Sequence, residues 1–183
     1  MKYETVKAVR QTFVALIFIM LNLNIEIGER IVNFIPSFIG YYLLAKAATD
    51  LFDDKKGETV KIISLICIVT SAAQWILNFF NIQINTVNYI LSGMDLVLNL
   101  IMMYLIFAHL ADMAEENDLP DTAVTFRTIM AGYILTYAAN YLTAILFGNG
   151  FVMVILTMLM YGIIFYSLFR IFRFAGKLEG MVE

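Results

Sequence analysis

Apolar runs of spanning length, parted by short polar segments, make up most of the chain. A membrane-spanning helix needs ~20 predominantly apolar residues. Residues 60–80, 86–110, 123–147 and 151–174 each reach that length. Residues 12–48 are also apolar but too long for one helix, and charges fall in their middle. That interruption is 22–42, NLNIEIGERIVNFIPSFIGYY, where Glu26, Glu29 and Arg30 stand among Asn22, Asn24, Asn33 and Pro36.

Basic residues decide how often 12–48 crosses, because cytoplasmic flanks carry the excess of Lys and Arg. Lys2, Lys7 and Arg10 precede the first run. Lys46, Lys55, Lys56 and Lys61 lie in or beside the second connection. Arg127 follows an acidic loop, and Arg170, Arg173 and Lys177 end the last run. Two crossings put every basic residue except Arg30 on one side; one crossing would divide them. The pattern therefore predicts an all-α fold, a polytopic membrane helical bundle of six transmembrane helices arranged as three hairpins. Both termini are then cytoplasmic, and the outer turns lie near Glu26–Arg30, 81–88 and 148–150. Asn33 is the expected cap of a short second helix, with Pro36 in its first turn. Asp121 or Thr122 is the expected cap of the fifth, and Gly148 and Gly150 suit a tight turn before the sixth.

Composition agrees. Of the 183 residues 61% are hydrophobic, only 15% are charged, and mean hydropathy is +0.81. Soluble domains carry about a quarter charged residues. No Gly-Pro-Ser linker divides the chain, so residues 1–183 are read as a single transmembrane domain. Residues 1–20 resemble a secretory signal, with Lys2, Lys7 and Arg10 ahead of an apolar run. No small-x-small cleavage site follows, which predicts an uncleaved first helix. A net charge of −3 and the lack of a basic patch give no reason to expect nucleic acid. Cys67 is the single cysteine, which excludes an intrachain disulfide and a thiolate-cluster metal site.

Polar residues inside the apolar runs collect toward the outer half. Asn22, Asn24 and Glu26 end the first helix on this reading, and Glu29, Arg30 and Asn33 begin the second. Gln74 and Asn78, then Asn88, Asp95 and Asn99, and finally Asn140 come from later helices. Asp95 lies seven residues past Asn88, so ~10 Å below the outer helix end. An ionised carboxylate at such depth is costly and faces a partner or water. Asn99 is four residues on, hence on the same helix face. Asn22, Glu26, Arg30, Asn33, Asp95 and Asn99 form the candidate binding set. Glu26 and Asp95 would offer negative charge, and Arg30 with the N-terminus of the second helix positive charge. Such a pocket suits a small zwitterionic or cationic solute. The plainer alternative is a structural ion pair of Arg30 with Asp95 or Glu26, with asparagines as interhelical hydrogen bonds.

Other features carry less. His109, Asp112 and Glu116 share a helix face, but with a single histidine they are a weak metal or catalytic signal. Tyr133, Tyr137 and Tyr141 recur every four residues and either line a pocket or pack helices. Gly40 permits a close helix approach just before Tyr41 and Tyr42. A faint repeat relates Asn33-Phe34-Ile35-Pro36-Ser37 to Asn88-Tyr89-Ile90-Leu91-Ser92. No phosphate-binding glycine loop, nucleophile elbow or HExxH occurs.

The run Asn33-Phe34-Ile35-Pro36-Ser37-Phe38-Ile39-Gly40-Tyr41 resembles a segment of small uncharacterised multi-pass membrane proteins of Gram-positive bacteria, which carry an I-P-x-F-I-G-Y pattern. The resemblance covers about a dozen residues, with Ser37 where an acid is usual, and implies a bacterial inner-membrane location without an activity. The leading expectation is a transport or solute-binding protein with an outward-facing polar pocket. The alternative is a non-enzymatic partner or assembly subunit docking through acidic cytoplasmic loops. An enzyme using His109, Asp112 and Glu116 ranks below both. The expected partners are the lipid bilayer, a small-molecule ligand, and a second copy or a partner subunit; no cofactor is expected.

Overall fold

The computed structural model describes residues 3–21, 24–27, 30–33, 36–52, 54–80, 82, 85–147 and 150–181. Among these residues six helices and one β-ribbon follow in chain order: α1 (Tyr3–Met20), β1 (Asn24–Ile27), β2 (Arg30–Asn33), α2 (Ser37–Leu51), α3 (Asp54–Phe79), α4 (Asn85–Glu116), α5 (Pro120–Phe147) and α6 (Phe151–Glu179). Among the described residues three are long and apolar enough to cross a membrane: α3 over Lys56–Phe79, α4 over Ile90–Glu116 and α6 over Phe151–Glu179. Only 17% of the most apolar window of α6 is buried. Phe151, Met158, Phe165 and Phe169 are exposed along it, an apolar surface that suits lipid rather than water.

The polar interruption folds differently from expectation. It is an antiparallel ribbon, with Asn24 opposite Asn33, Ile25 opposite Val32, Glu26 opposite Ile31 and Ile27 opposite Arg30. The reason is local. Ile25, Ile27, Ile31 and Val32 are β-branched and favour strands. The register pairs the two segments residue for residue, which sets β-branched Ile25 opposite β-branched Val32. Asn24 and Glu26 therefore do not end α1, which stops at Met20, and Asn33 does not cap α2. Pro36 occupies the cap position, with φ −66° and ψ 122° and no side-chain cap bond. At 15 residues α2 is ~22 Å long, well short of a ~30 Å hydrocarbon core. The faint repeat is not repeated in structure, because Asn33 closes a strand whereas Asn88 lies in α4.

The chain forms two compact units, Met1–Met102 with Ala175–Glu183, and Met103–Phe174. The divisions fall inside α4 and α6. In the first unit α1 and α2 run antiparallel. Gln11 Nε2 donates to the Leu43 carbonyl at 3.2 Å. About one turn along, a Cβ on Gly40 would lie 2.5 Å from the Ala15 carbonyl oxygen, so only glycine allows the two backbones this approach. Ala8, Ala15, Leu44, Ala47 and Ala48 complete that buried seam. Next, α3 packs antiparallel to α2, with Phe38 edge-on to Trp75 at 6.1 Å, and β2 lies against α3. Ser64–Met102 and Gln74–Ser92 contacts set α4 antiparallel to α3. Arg10 pairs with Glu179 at the end of α6.

The second unit centres on aromatic packing. Phe126 meets Phe174 edge-on at 5.3 Å and Phe107 at 6.4 Å. At its turn, α4 ends in a Schellman motif: Leu119 N–H bonds to Ala114 O and Asp118 N–H to Glu115 O. Asp118 takes the left-handed conformation there, φ 55°. Helix α5 begins at Pro120, so the expected cap, Asp121 or Thr122, lies inside the first turn instead, since proline suits the first helical position.

Candidate functional site

Helices α2 and α4 place the candidate site in the first unit. Gly40 seats α2 against α1, and the next residue, Tyr41, turns its ring into the interior, where it is 1% exposed. Its hydroxyl donates to Asp95 Oδ1 at 3.4 Å. Asn99 Nδ2, one helical turn beyond Asp95, donates to Tyr41 Oη at 3.3 Å. Tyr41 and Asn99 are buried, and Asp95 is half-buried in front of them.

The electrostatics are unbalanced. Both hydrogen bonds are long, near the upper limit for such contacts. Among the described residues Tyr41 is the one hydrogen-bond donor to Asp95, and no cationic side chain pairs with the carboxylate. A neutral phenol offsets a carboxylate only in part. In a spanning helix the remainder is an attraction for a positive group. Around the same level α3 contributes Thr70 and Ser71, both buried, whose hydroxyls return to α3 carbonyls: Ser71 Oγ to Cys67 O at 2.5 Å, and Thr70 Oγ1 to Ile66 O at 3.2 Å.

The six predicted residues part here. Asp95 and Asn99 share a face as the spacing required, and Tyr41 joins them. Asn22 lies outside the described residues. The backbones of Glu26, Arg30 and Asn33 are placed in the ribbon, but their side chains lie outside the described set, as does that of Asn88. In the register Glu26 pairs with Ile31 and Arg30 with Ile27. Tyr41 is the residue that sequence reasoning missed. Its signal was available: a tyrosine directly after a packing glycine carries a polar tip into an apolar interface.

Several of the other candidates have local partners. Gln74 Nε2 donates to Ser92 Oγ at 3.0 Å. In the second unit Asn140 Nδ2 donates to Thr157 Oγ1 at 3.1 Å. Tyr133 stacks on Tyr137 at 5.6 Å, and a hollow of about 240 Å³ is lined by Tyr137, Asn140, Tyr141, Met153 and Met160. Arg127 grips Glu115 through two bonds of 2.7 and 2.9 Å and approaches Asp112 at 3.7 Å. Among the described residues no three His, Cys, Asp or Glu side chains gather as metal ligands.

Comparison of the chain with protein-family models, with characterised proteins and with solved structures gives no match.

Proposed function

We propose that this is a multi-pass inner-membrane protein that binds or transports a small cationic or zwitterionic solute, with Asp95 as the anchor for the cationic group. One observation carries the reading. A carboxylate in a helix of spanning length is held by a neutral hydroxyl and, among the described residues, by no cation. A purely structural carboxylate at such depth would be expected to have a charged partner. Tyr41 and Asn99 fix its orientation, and Glu26 and Arg30 remain candidates for the outer wall.

Six crossings with cytoplasmic termini form part of the proposal, the short α2 crossing together with the β-ribbon that precedes it, and the one-sided basic residues and the antiparallel succession of helices within each unit support it. Reporter fusions at Asp53 and the N-terminus should then report one side of the membrane, and a fusion at Asn85 the other. The binding test is a thermal-shift screen of purified protein against small ammonium and guanidinium compounds and zwitterions. A ligand at a hundred times its Kd stabilises by about 2.7 kcal/mol. At least one compound should raise the unfolding temperature of the wild type and leave Asp95→Asn unmoved. Equal shifts in both proteins would sink the assignment.

The partner-subunit alternative draws on Glu116, Asp118 and Asp121, which are exposed around the α4–α5 turn. Copurification of a fixed partner that neutralising these three residues releases would favour it.

A further inference from the structure

The Asn99–Tyr41–Asp95 chain has a direction. The Asn99 amide nitrogen can only donate, and it donates to the Tyr41 oxygen. The tyrosine hydroxyl has one proton, and directs it to Asp95 Oδ1. The carboxyl is thus held by one oxygen, while Oδ2 has no donor among the described residues. Among the described residues the titratable groups on the packed helices nearest to it are the Tyr41 phenol from α2 and the buried Cys67 thiol from α3. Neither brings positive charge. No described Lys, Arg or His pairs with Asp95, and the side chains of Glu26 and Arg30 lie outside the described residues. A charge so placed in low dielectric is neutralised by a cation or by a proton.

We propose that Asp95 uses both in turn and makes the protein a solute–proton exchanger. The inference rests on the solute-binding reading above. In the empty site the carboxyl carries a proton on Oδ2. When the cationic head of a solute settles against that oxygen, the O–H bond breaks and the proton leaves to water. A neutral acid and a cation become an ion pair and a released proton, so one positive charge enters as one leaves. The site never holds an uncompensated charge, which is the condition the low dielectric imposes. Tyr41 donates to Oδ1 in both states and is a positioning residue: it keeps Oδ2 turned to the exchanging cation.

The test uses the full chain in vesicles of phosphatidylethanolamine and phosphatidylglycerol, with methylammonium as the probe. The readouts are the infrared C=O band of the protonated carboxyl and the pH of a weakly buffered suspension. The wild type should show a band that titrates, that is missing in Asp95→Asn and that is shifted in Tyr41→Phe. Tyr41→Phe keeps the carboxyl, so it reports even if Asp95→Asn folds poorly. Methylammonium should bleach the band and acidify the medium. The concentration required should rise about tenfold for each unit by which the pH is lowered while the carboxyl is protonated in the empty site, as for two ligands competing for one site. Identical carboxyl bands in wild type and Asp95→Asn would overturn the proposal. So would a band that methylammonium leaves untouched while still raising the unfolding temperature of the wild type. Failure of the underlying solute reading shows differently, as methylammonium and the other small cations giving no thermal shift in wild type at any pH.

Discussion

Helix α4 carries carboxylates in two opposite settings. Asp95 is half-buried, faces a neutral hydroxyl and stands among apolar residues. Asp112 and Glu115, about five turns further on, are half-exposed and share the guanidinium of Arg127. The chemical groups are alike; the surroundings decide what they do. Where water reaches both partners, an ion pair gains little, because solvent already stabilises each charge. Where water is excluded, a carboxylate without a cation is a standing attraction for one. The better-paired site is therefore the less consequential, and function is assigned to the site whose charge is incompletely matched.

The strongest way to break this comparison is Asp95→Asn, which keeps shape and removes charge. It should weaken binding of a cationic solute at least about 30-fold, the effect of removing one member of a buried charge pair. Equilibrium binding to detergent-purified protein checks this, and an unchanged Kd would remove Asp95 from the site. Gly40→Ala comes next, because the added Cβ would strike the Ala15 backbone and lift α2 from α1. Overpacking of this kind costs about 1–3 kcal/mol, and the displaced Tyr41 should weaken binding as well. Tyr41→Phe tests the hydroxyl alone. It leaves the buried Asn99 amide without this acceptor, so stability should fall by about 1–2 kcal/mol as measured by thermal unfolding.

Two smaller effects sharpen the other side. Arg127→Ala should lower the unfolding temperature by less than Tyr41→Phe does, and added salt should erase most of the difference from wild type. A loss as large as that of Tyr41→Phe would show that the exposed pair matters more than its surroundings allow. Asp118→Gly should be neutral or stabilise by under about 1 kcal/mol, since glycine suits the left-handed cap position better. Asp118→Ala should destabilise, and the ordering of the two unfolding temperatures is the check.

The sequence was most legible where a pattern repeats. Apolar runs marked α3, α4 and α6 as spanning segments because length and hydropathy are summed over some twenty residues, and single exceptions average out. It was least legible in 22–42, where a membrane setting led every polar interruption to be read as a helix end. The alternation NIEI and RIVN around Gly28-Glu29 was a strand signal of only four residues a side, easily hidden inside a longer apolar run. Candidate-site reading divided the same way. Asp95 and Asn99 share a face through helical period alone. Tyr41 lies more than fifty positions away, and no local rule connects it to them.

The chain by itself determined that α3, α4 and α6 are apolar enough for a membrane, and that Asp95 stands within one of them. Both follow from composition and the 1.5 Å rise per residue. Tertiary structure alone decided what the carboxylate meets. Gly40 lets α2 close on α1, and Tyr41 then reaches α4 with a hydroxyl rather than a charge. That choice of partner, a dipole in place of a cation, is a property of how helices pack.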